Sequence, residues 1–276
     1  MMRIDAHQHV WQLAARAGAW PPPTLAAIHR GFAPRDLAPL LARHGIAGTV
    51  LVQSLPSEAD TDWLLALAAD SAFIRAVVGW TDLLAPDAPA RIARLAAQPR
   101  LKGLRPMLQD LADDGWIANA ALAPALAAMA SHGLRLDALV LPRHLPALLQ
   151  CARAHPALNI VIDHAAKPPI AAAAFGAWRE DMARLAALPN VYCKLSGMVT
   201  EATAAWNVDD LRPYVSHVLD AFGSERVIWG SDWPVVELAG GYDAWLAASE
   251  ALLAHLPLAE RARIFGLNAL HFYAME

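Results

Sequence analysis

Apolar and polar positions follow two alternating patterns along the chain. Short runs of apolar and β-branched residues predict strands that are buried on both faces. Between these runs, apolar residues recur three or four positions apart, which predicts helices. The predicted strands are residues 3–11, 49–54, 74–81, 101–107, 135–140, 159–165, 190–197 and 226–233.

The predicted helices fill the intervals, and turn-forming residues mark several of their ends. Gly45, Gly133 and Gly223 each follow a helical pattern and predict where it stops. Ser57 and Asp60 resemble a capping box at the start of another helix. The predicted helices are residues 34–44, 63–69, 87–98, 121–132, 143–155, 175–188, 209–222, 242–255 and 258–274.

The strict alternation of strand and helix predicts a parallel sheet, and eight such units predict that the sheet closes. We therefore expect an α/β protein, a single-domain (β/α)₈ TIM barrel over residues 1–276. The chain length suits one such barrel, which typically takes about 250 residues. The alternative is an open doubly wound sheet, which is disfavoured because no glycine-rich dinucleotide-binding loop follows the first strand.

One connection is longer than the others. Residues 12–33 join the first strand to the first helix, and they include Trp20 followed by three prolines. Loops of more than about 12–15 residues are usually functional or disordered. Active sites of these barrels lie at the carboxyl ends of the strands, where this loop begins. We expect the loop to form part of a lid that selects the substrate.

Composition narrows the class of protein. Hydrophobic residues make up 57% of the chain, but no apolar run reaches the about 18 residues of a membrane-spanning helix. The net charge of −4 argues against a nucleic-acid-binding protein. Polar residues near the start argue against an export signal, and Cys151 and Cys193 form no disulfide framework. We expect a cytoplasmic protein, and a homo-oligomer is compatible with the sequence.

Residues of the types that bind metals or move protons gather at the ends of three predicted strands. At the end of the first strand, a two-residue period places Asp5, His7 and His9 on one face. Two histidines on one face can converge on a metal or on a substrate oxygen. Alone, a His-x-His pair is a weak signal, because two ordinary polar residues can end a strand.

The sixth and eighth strands strengthen this signal. The same period groups His164 with two isoleucines and puts Asp163 on the opposite face. Asp232 shares a face with Gly230, whose missing side chain leaves room beside the carboxylate. Three imidazoles and a carboxylate at the mouth of one barrel are typical of an active site.

Further polar residues suit a substrate pocket. Arg105 ends the fourth strand and can hold an anionic group or form a surface ion pair. Lys194 shares a face of the seventh strand with Ser196, and a lysine in an apolar strand must be paired or functional. We expect Gln53 to line the pocket, whereas Trp80 fits core packing better. Loop residues to which we assign no role are Asp110, His144 and Glu201.

Several motifs together resemble the amidohydrolase superfamily, and within it the branch of sugar-acid lactonases that includes L-fuconolactonases and L-rhamnonolactonases. The motifs are DAHQHVW at residues 5–11, KGLR at 102–105, IDHAAKP at 162–168, CKLSG at 193–197 and WGSDWP at 229–234. The resemblance spans nearly the whole chain. It implies a hydrolase that opens a sugar-acid lactone such as L-fuconolactone, in carbohydrate catabolism. Lactonases of aromatic degradation are also similar to this branch.

The resemblance also implies a metal site, with differences from the wider superfamily. Binuclear members carry a bridging carboxylated lysine on strand four, but Lys102 lies at the start of that strand, on the face opposite Arg105. Strand five lacks the histidine that other members have there. We therefore expect at most one divalent metal, Zn²⁺ first. The expected ligands are His7, His9, His164 and Asp232. Members of this branch can work without a metal, so the need for one stays open.

In the mechanism that the resemblance implies, Asp232 is the general base for water. His164 and the other imidazoles polarise the ester carbonyl, with or without the metal. The substrate-binding residues are Arg105, Lys194 and Gln53. Two alternatives to a lactonase are a decarboxylase of the same superfamily, which the missing histidine of strand five disfavours, and a non-catalytic binding barrel, which has no use for such a cluster.

Overall fold

The computed structural model describes residues 2–16 and 20–275. Eight parallel strands pair in chain order, from β1 beside β2 to β7 beside β8. The predicted barrel is confirmed, and every predicted strand overlaps an observed one. The strands are β1 Arg3–Gln8, β2 Ile46–Val52, β3 Ile74–Gly79, β4 Leu101–Leu104, β5 Arg135–Ala138, β6 Ile160–Ile162, β7 Val191–Leu195 and β8 Val227–Trp229.

The helices alternate with the strands, as the apolar pattern predicts. Gly45 follows the first helix with φ 63°, the left-handed conformation of a helix stop, and Ser57 Oγ accepts a hydrogen bond from the backbone N–H of Asp60. The helices are α1 Pro34–His44, α2 Glu58–Asp70, α3 Ala88–Ala96, α4 Ala123–Ser131, α5 Leu145–Ala154, α6 Gly176–Ala186, α7 Val208–Phe222, α8 Gly241–Leu252, α9 Leu258–Ala262 and α10 Asn268–Phe272.

The last helical stretch differs from its prediction. A π-helical segment, Arg263–Leu267, separates α9 from α10 in place of one continuous helix. Gly266 lies in this segment against the Met2 carbonyl, so closely that a side chain there would clash. The wider turn therefore lets the C-terminal segment pack against the start of β1.

Backbone hydrogen bonds join the last strand to the first at the carboxyl end of the barrel. Asp232 N–H donates to the carbonyl of His7 over 2.8 Å, and His9 N–H donates to the carbonyl of Trp233 over 2.7 Å. The segment that follows β8 is thereby fixed to the end of β1. These bonds connect the two chain segments that carry His7, His9 and Asp232.

An apolar layer fills part of the barrel interior. Its side chains come from β1, β2, β3, β6 and β8, and Phe272, Tyr273 and Met275 of the C-terminal segment pack against them. A larger apolar cluster lies between the strands and the surrounding helices. The strand residues of the apolar layer are Ile4, Ala6, Val50, Val52, Ala76, Val78, Val161 and Ile228.

The long loop after β1 folds back against the barrel mouth. Arg16 Nη1 donates to the carbonyl of Trp20 over 2.9 Å, and its Nη2 donates to Ser54 Oγ over 2.7 Å. Further along, Trp11 and Phe32 exchange backbone hydrogen bonds of 3.0 and 2.9 Å. Residues 17–19 of the predicted lid lie outside the described residues. No helix in the described part of the chain is long and apolar enough to cross a membrane.

Candidate active site

The carboxyl ends of β1, β6 and β8 bring four side chains together. His7 Nε2 lies 3.1 Å from His9 Nε2. Asp232 Oδ1 lies 3.3 Å from His9 Nε2 and 3.8 Å from His7 Nε2. His164 Nε2 lies 3.8 Å from the same carboxylate oxygen. Three imidazoles therefore surround one oxygen atom of Asp232.

Asp5 does not join this group, although the two-residue period predicts that it shares a face with His7. The register between β1 and β2 shifts between Asp5 and Gln8, which breaks the alternation of side chains. The Asp5 carboxylate instead accepts hydrogen bonds from the Ser231 N–H at 2.8 Å and the Tyr242 hydroxyl at 3.2 Å. Tyr242 belongs to α8, so Asp5 faces the helices outside the barrel.

On β6, Asp163 lies opposite the two isoleucines as predicted, but the prediction that His164 shares their face is wrong. Val161 belongs to the inner apolar layer, and Asp163, two residues later, points inward with its carboxylate 3.4 Å from His7 Nδ1. His164 follows with φ 53°, a left-handed conformation that brings its side chain to the barrel mouth. Its Nδ1 lies 2.8 Å from Ser196 Oγ. Two consecutive residues thus face the site, which regular strand geometry does not allow.

Asp232 also depends on an irregular backbone. It has φ 60°, in the left-handed region that few non-glycine residues adopt. Gly230 lies close to β1, because a Cβ atom there would come within 2.7 Å of the Cβ of His7. The missing side chain of Gly230 therefore makes room for His7. The prediction that it leaves room beside the Asp232 carboxylate is wrong.

Burial and mutual attraction set the protonation of the cluster. Burial lowers the pKa of His164 to about 4 and also lowers the pKa values of His7 and His9. Burial opposes ionisation of Asp232, but electrostatic attraction to His164, His7 and His9 holds the pKa of this carboxyl well below its usual value. At neutral pH the carboxylate is therefore ionised and the imidazoles are neutral.

A buried charged layer supports the cluster. Lys194 Nζ lies 2.5 Å from Asp137 Oδ2, 3.0 Å from Asp163 Oδ1 and 3.1 Å from His7 Nδ1. Arg105 Nη1 lies 3.3 Å from Asp163 Oδ2. Burial opposes ionisation of Asp163, but Lys194 and neighbouring groups hold the pKa of this carboxyl well below its usual value. Asp163 and Asp137 are not among the predicted site residues, although an acidic residue in a buried strand needs a partner, as Lys194 does.

A cavity of about 350 Å³ opens above the cluster, and it contains only some of the predicted residues. His9, His164, Asp232 and Arg105 line it. Lys194 lies behind this wall in the charged layer. Gln53 is also fully buried, and its Nε2 donates to the Arg105 carbonyl over 2.7 Å. We therefore assign Lys194 and Gln53 supporting positions.

Loop residues complete the cavity. Trp20 and Leu25 of the long loop after β1 form part of its wall, and Asp110, Lys167 and Glu201 contribute charged groups. The sequence pattern assigns no role to Asp110 or Glu201. His144 lies elsewhere, with its Nδ1 accepting a hydrogen bond from the Leu141 N–H, and Trp80 is not part of the wall.

Two overlapping groups of side chains have the geometry of metal ligands. One consists of His7, His9 and Asp232, and the other of His7, Asp163 and His164. The first is the better candidate, because Lys194 already neutralises Asp163. In that group, His9 Nδ1 lies 2.7 Å from the carbonyl of Val52 and donates to it, so its Nε2 presents a lone pair.

Comparison with known proteins agrees with this architecture. Residues 4–275 match the family described as amidohydrolase. The chain is 58% identical over 278 residues to an L-fucono-1,5-lactonase of Burkholderia ambifaria, across 99% of this chain and 96% of the relative. It is 37% identical over 286 residues to an L-fucono-1,5-lactonase of Burkholderia multivorans, again across 99% and 96%.

A solved structure shows the same fold. The crystal structure of an amidohydrolase from Burkholderia multivorans with bound zinc superposes with a TM-score of 0.94, at 37% identity and with 100% of both chains covered. The family match, the relatives and the solved structure all agree with the predicted barrel. The chain belongs to the amidohydrolase family.

Proposed function

We propose that the chain hydrolyses a sugar-acid lactone, with L-fucono-1,5-lactone as the first candidate. Its relatives at 58% and 37% identity are L-fucono-1,5-lactonases, and the chain is accordingly a hydrolase that acts on a cyclic ester. The observation that carries the proposal is the ionised Asp232, whose Oδ1 lies within 3.3–3.8 Å of three neutral imidazoles at the base of the cavity. This arrangement suits general-base catalysis at an ester carbonyl.

The reaction follows from the positions of these groups. Asp232 accepts a proton from water as the water oxygen attacks the lactone carbonyl carbon. The carbonyl π electrons move to the carbonyl oxygen, which the His164 Nε2–H stabilises, since Ser196 Oγ donates to Nδ1 of that ring. When the carbonyl re-forms, the ring carbon–oxygen bond breaks. The ring oxygen takes the proton from Asp232, and an open hydroxy acid leaves.

We further propose that His7, His9 and Asp232 hold one divalent metal ion, Zn²⁺ first, with His164 beside it. The donor set fits, because imidazole and carboxylate are usual zinc ligands. A bound Zn²⁺ would act as a Lewis acid that polarises the lactone carbonyl. Elemental analysis should give at most one equivalent per chain, and His9→Ala should reduce it. Two equivalents of metal at the barrel mouth would overturn this proposal. If one equivalent is bound, removing it with a chelator tests whether activity needs the metal.

The charge of the cavity favours a neutral sugar lactone over an aromatic dicarboxylate lactone. Its wall carries the carboxylates of Asp110, Glu201 and Asp232 against the cations of Arg105 and Lys167. Arg105 is already paired with Asp163 of the charged layer. A dianionic substrate would therefore enter a site with an excess of negative charge, whereas hydroxyl groups can bond to either sign.

A panel of lactones with a pH indicator tests the function. Acid release from L-fucono-1,5-lactone and related sugar-acid lactones is the expected result. Acid release from dicarboxylate pyrones alone would favour an aromatic-pathway lactonase, and release of CO₂ from aromatic acids would favour a decarboxylase. No turnover of any compound in the panel would favour a non-catalytic binding protein over an enzyme.

The setting of the reaction is also a proposal. We propose that the enzyme acts in the cytoplasm, in carbohydrate catabolism, and that copies of the chain can associate. We also propose that the long loop selects among lactones, because Trp20 and Leu25 form part of the cavity wall. The partner of the enzyme is then a small lactone, with no nucleic acid or membrane involved.

A further inference from the structure

A left-handed turn after β6 gives the cavity a lysine that the catalytic steps do not use. His164, Ala165, Ala166 and Lys167 have φ values of 53°, 48°, 60° and 51°. Residues other than glycine rarely adopt this conformation, and a run of four is costly. The segment forms a short turn of the 3₁₀ type, in which residues three apart lie on the same side. His164 and Lys167 therefore both face the cavity.

Specific contacts hold this costly turn in place. Trp178 Nε1 donates to the carbonyl of Ala165 over 2.7 Å, and Lys167 N–H donates to the carbonyl of His164 over 2.8 Å. The His164 ring also packs on Gly197, where a Cβ atom would lie 2.6 Å from its Nδ1. A turn that is fixed from several sides, yet ends in a lysine at the cavity wall, indicates that the position of this lysine matters.

Glu201 lies opposite Lys167 and comes from the loop after β7. Lys167 Nζ and Glu201 Oε1 are 3.9 Å apart, and the two side chains are 23% and 27% exposed. This distance is too long for a direct hydrogen bond. Among the described residues 2–16 and 20–275, no side-chain hydrogen bond joins either group to the protein. Both groups therefore keep their bonding capacity for a ligand in the cavity.

The two groups together match a pair of neighbouring hydroxyls. An ammonium group only donates hydrogen bonds and a carboxylate only accepts them, whereas each hydroxyl can do both. One hydroxyl of a vicinal diol can accept from Lys167 while the next donates to Glu201. A carboxylated ligand would meet Glu201 as a like charge, so this pair favours polyols.

We propose that Lys167 and Glu201 are specificity-determining residues that bind two neighbouring ring hydroxyls of the lactone. The inference rests on the proposed function, because it assigns the hydroxyl-binding wall of that same site. The proposed hydroxyl-binding cation is thus Lys167, which lines the cavity, in place of Lys194, which the sequence predicted together with Arg105 and Gln53 and which does not line it.

A ligand that has the ring hydroxyls but no carbonyl group allows hydroxyl binding to be measured without catalysis. The cyclic ether 1,5-anhydro-L-fucitol keeps the ring hydroxyls and cannot be hydrolysed. Its Kd is measured by ligand-observed NMR for the wild type, Lys167→Met and Glu201→Gln. We expect Lys167→Met to raise Kd about 10- to 100-fold, the effect of losing a hydrogen bond to a charged group, and Glu201→Gln to raise Kd less, because its amide oxygen still accepts a hydrogen bond. Lys167→Met keeps an unbranched side chain, so the cost of the left-handed backbone is unchanged.

Lys102→Met is the matched control, because Lys102 lines a separate surface pocket with Arg100 and Met275. Its Kd should equal that of the wild type, and thermal unfolding should show that all variants fold. Kd values for Lys167→Met within about twofold of the wild type would overturn the inference, as would failure of the wild type to bind the ether. Hydrolysis of L-fucono-1,5-lactone by the wild type is measured separately, and its absence would refute the proposed function independently of the Kd pattern.

Discussion

The apolar layer and the charged layer of the barrel interior lie next to each other but are built differently. The apolar layer consists of small and branched side chains from five strands, and Phe272 and Tyr273 pack against them. The charged layer buries Lys194, Asp137 and Asp163 completely. The Tyr273 hydroxyl donates to Asp137 Oδ2 over 2.7 Å, where the two layers meet. One layer stabilises the fold through packing, and the other holds the groups that serve the chemistry.

The two layers also differ in backbone geometry, which is regular in the apolar layer and irregular at the active site. In the apolar layer, alternate strand residues such as Ala76 and Val78 point inward, as an ordinary strand requires. At the mouth, a register shift positions His7, and left-handed residues position His164 and Asp232. Strained backbone conformations of this kind cluster at functional sites.

Removing the base at the mouth should have the largest effect. Asp232→Asn keeps the size of the side chain but removes its basicity, so the rate of lactone hydrolysis should fall by roughly 10²–10⁴-fold. The melting temperature should change little. Retention of more than about a tenth of the wild-type rate would contradict the assignment. If Asp232 serves only to hold a metal ion, added Zn²⁺ should restore part of the lost rate.

Removing one charged side chain from the charged layer should lower the free energy of unfolding more than any other single substitution in the barrel interior. Lys194→Met leaves Asp137 and Asp163 buried without their shared cation, which should cost about 3–5 kcal/mol of unfolding free energy in urea. Adding Asp137→Asn to Lys194→Met should recover part of this loss, because the two positions interact directly. Lys102→Met is the control. Equal losses in Lys194→Met and Lys102→Met would show that the charged layer is not specifically coupled.

A substitution in the apolar layer should lower the free energy of unfolding less and should leave catalysis unchanged. Ile228 is fully buried there. Ile228→Val should lower the free energy of unfolding by about 0.5–1.5 kcal/mol, the usual cost of removing one buried methylene. Its kcat should stay that of the wild type. A large fall in kcat with little change in stability would mean that the apolar layer also takes part in catalysis.

The sequence predicted the regular parts of the molecule well and the irregular parts poorly. The apolar pattern predicted all eight strands, because a strand that is buried on both faces appears in the sequence as a short continuous apolar run. The orientations of His7 and His164 could not be predicted, because they depend on a register shift in β1 and on a left-handed turn that contains alanines rather than glycines. The charge partners of Lys194 depend on strands far apart in the chain, so spacing alone cannot identify them.

The smallest predicted effect concerns Asp60, at the edge of the mouth. Burial raises the pKa of its carboxyl to about 6, and Arg16 compensates only in part. The folded protein therefore binds this proton more tightly than the unfolded chain does, so stability falls as pH rises from about 4 to about 6. Above that range the cost is constant. A shift of about two units corresponds to nearly 3 kcal/mol, but partial exposure reduces the expected cost to about 1 kcal/mol.

Asp60→Asn removes this titration and should stabilise the protein by about 1 kcal/mol at pH 8. The advantage should shrink at pH 4.5, where the folded wild type already carries the proton. Urea unfolding of both proteins at the two pH values measures the difference, and Asp62→Asn on the same helix is the matched control. The comparison between pH values matters more than either value alone, because Asp60 lies in the first turn of α2 and Asp62 does not, so the two substitutions remove different helix N-terminal charge effects. An advantage of equal size at both pH values would show that burial of the Asp60 carboxylate does not lower the stability of the folded protein.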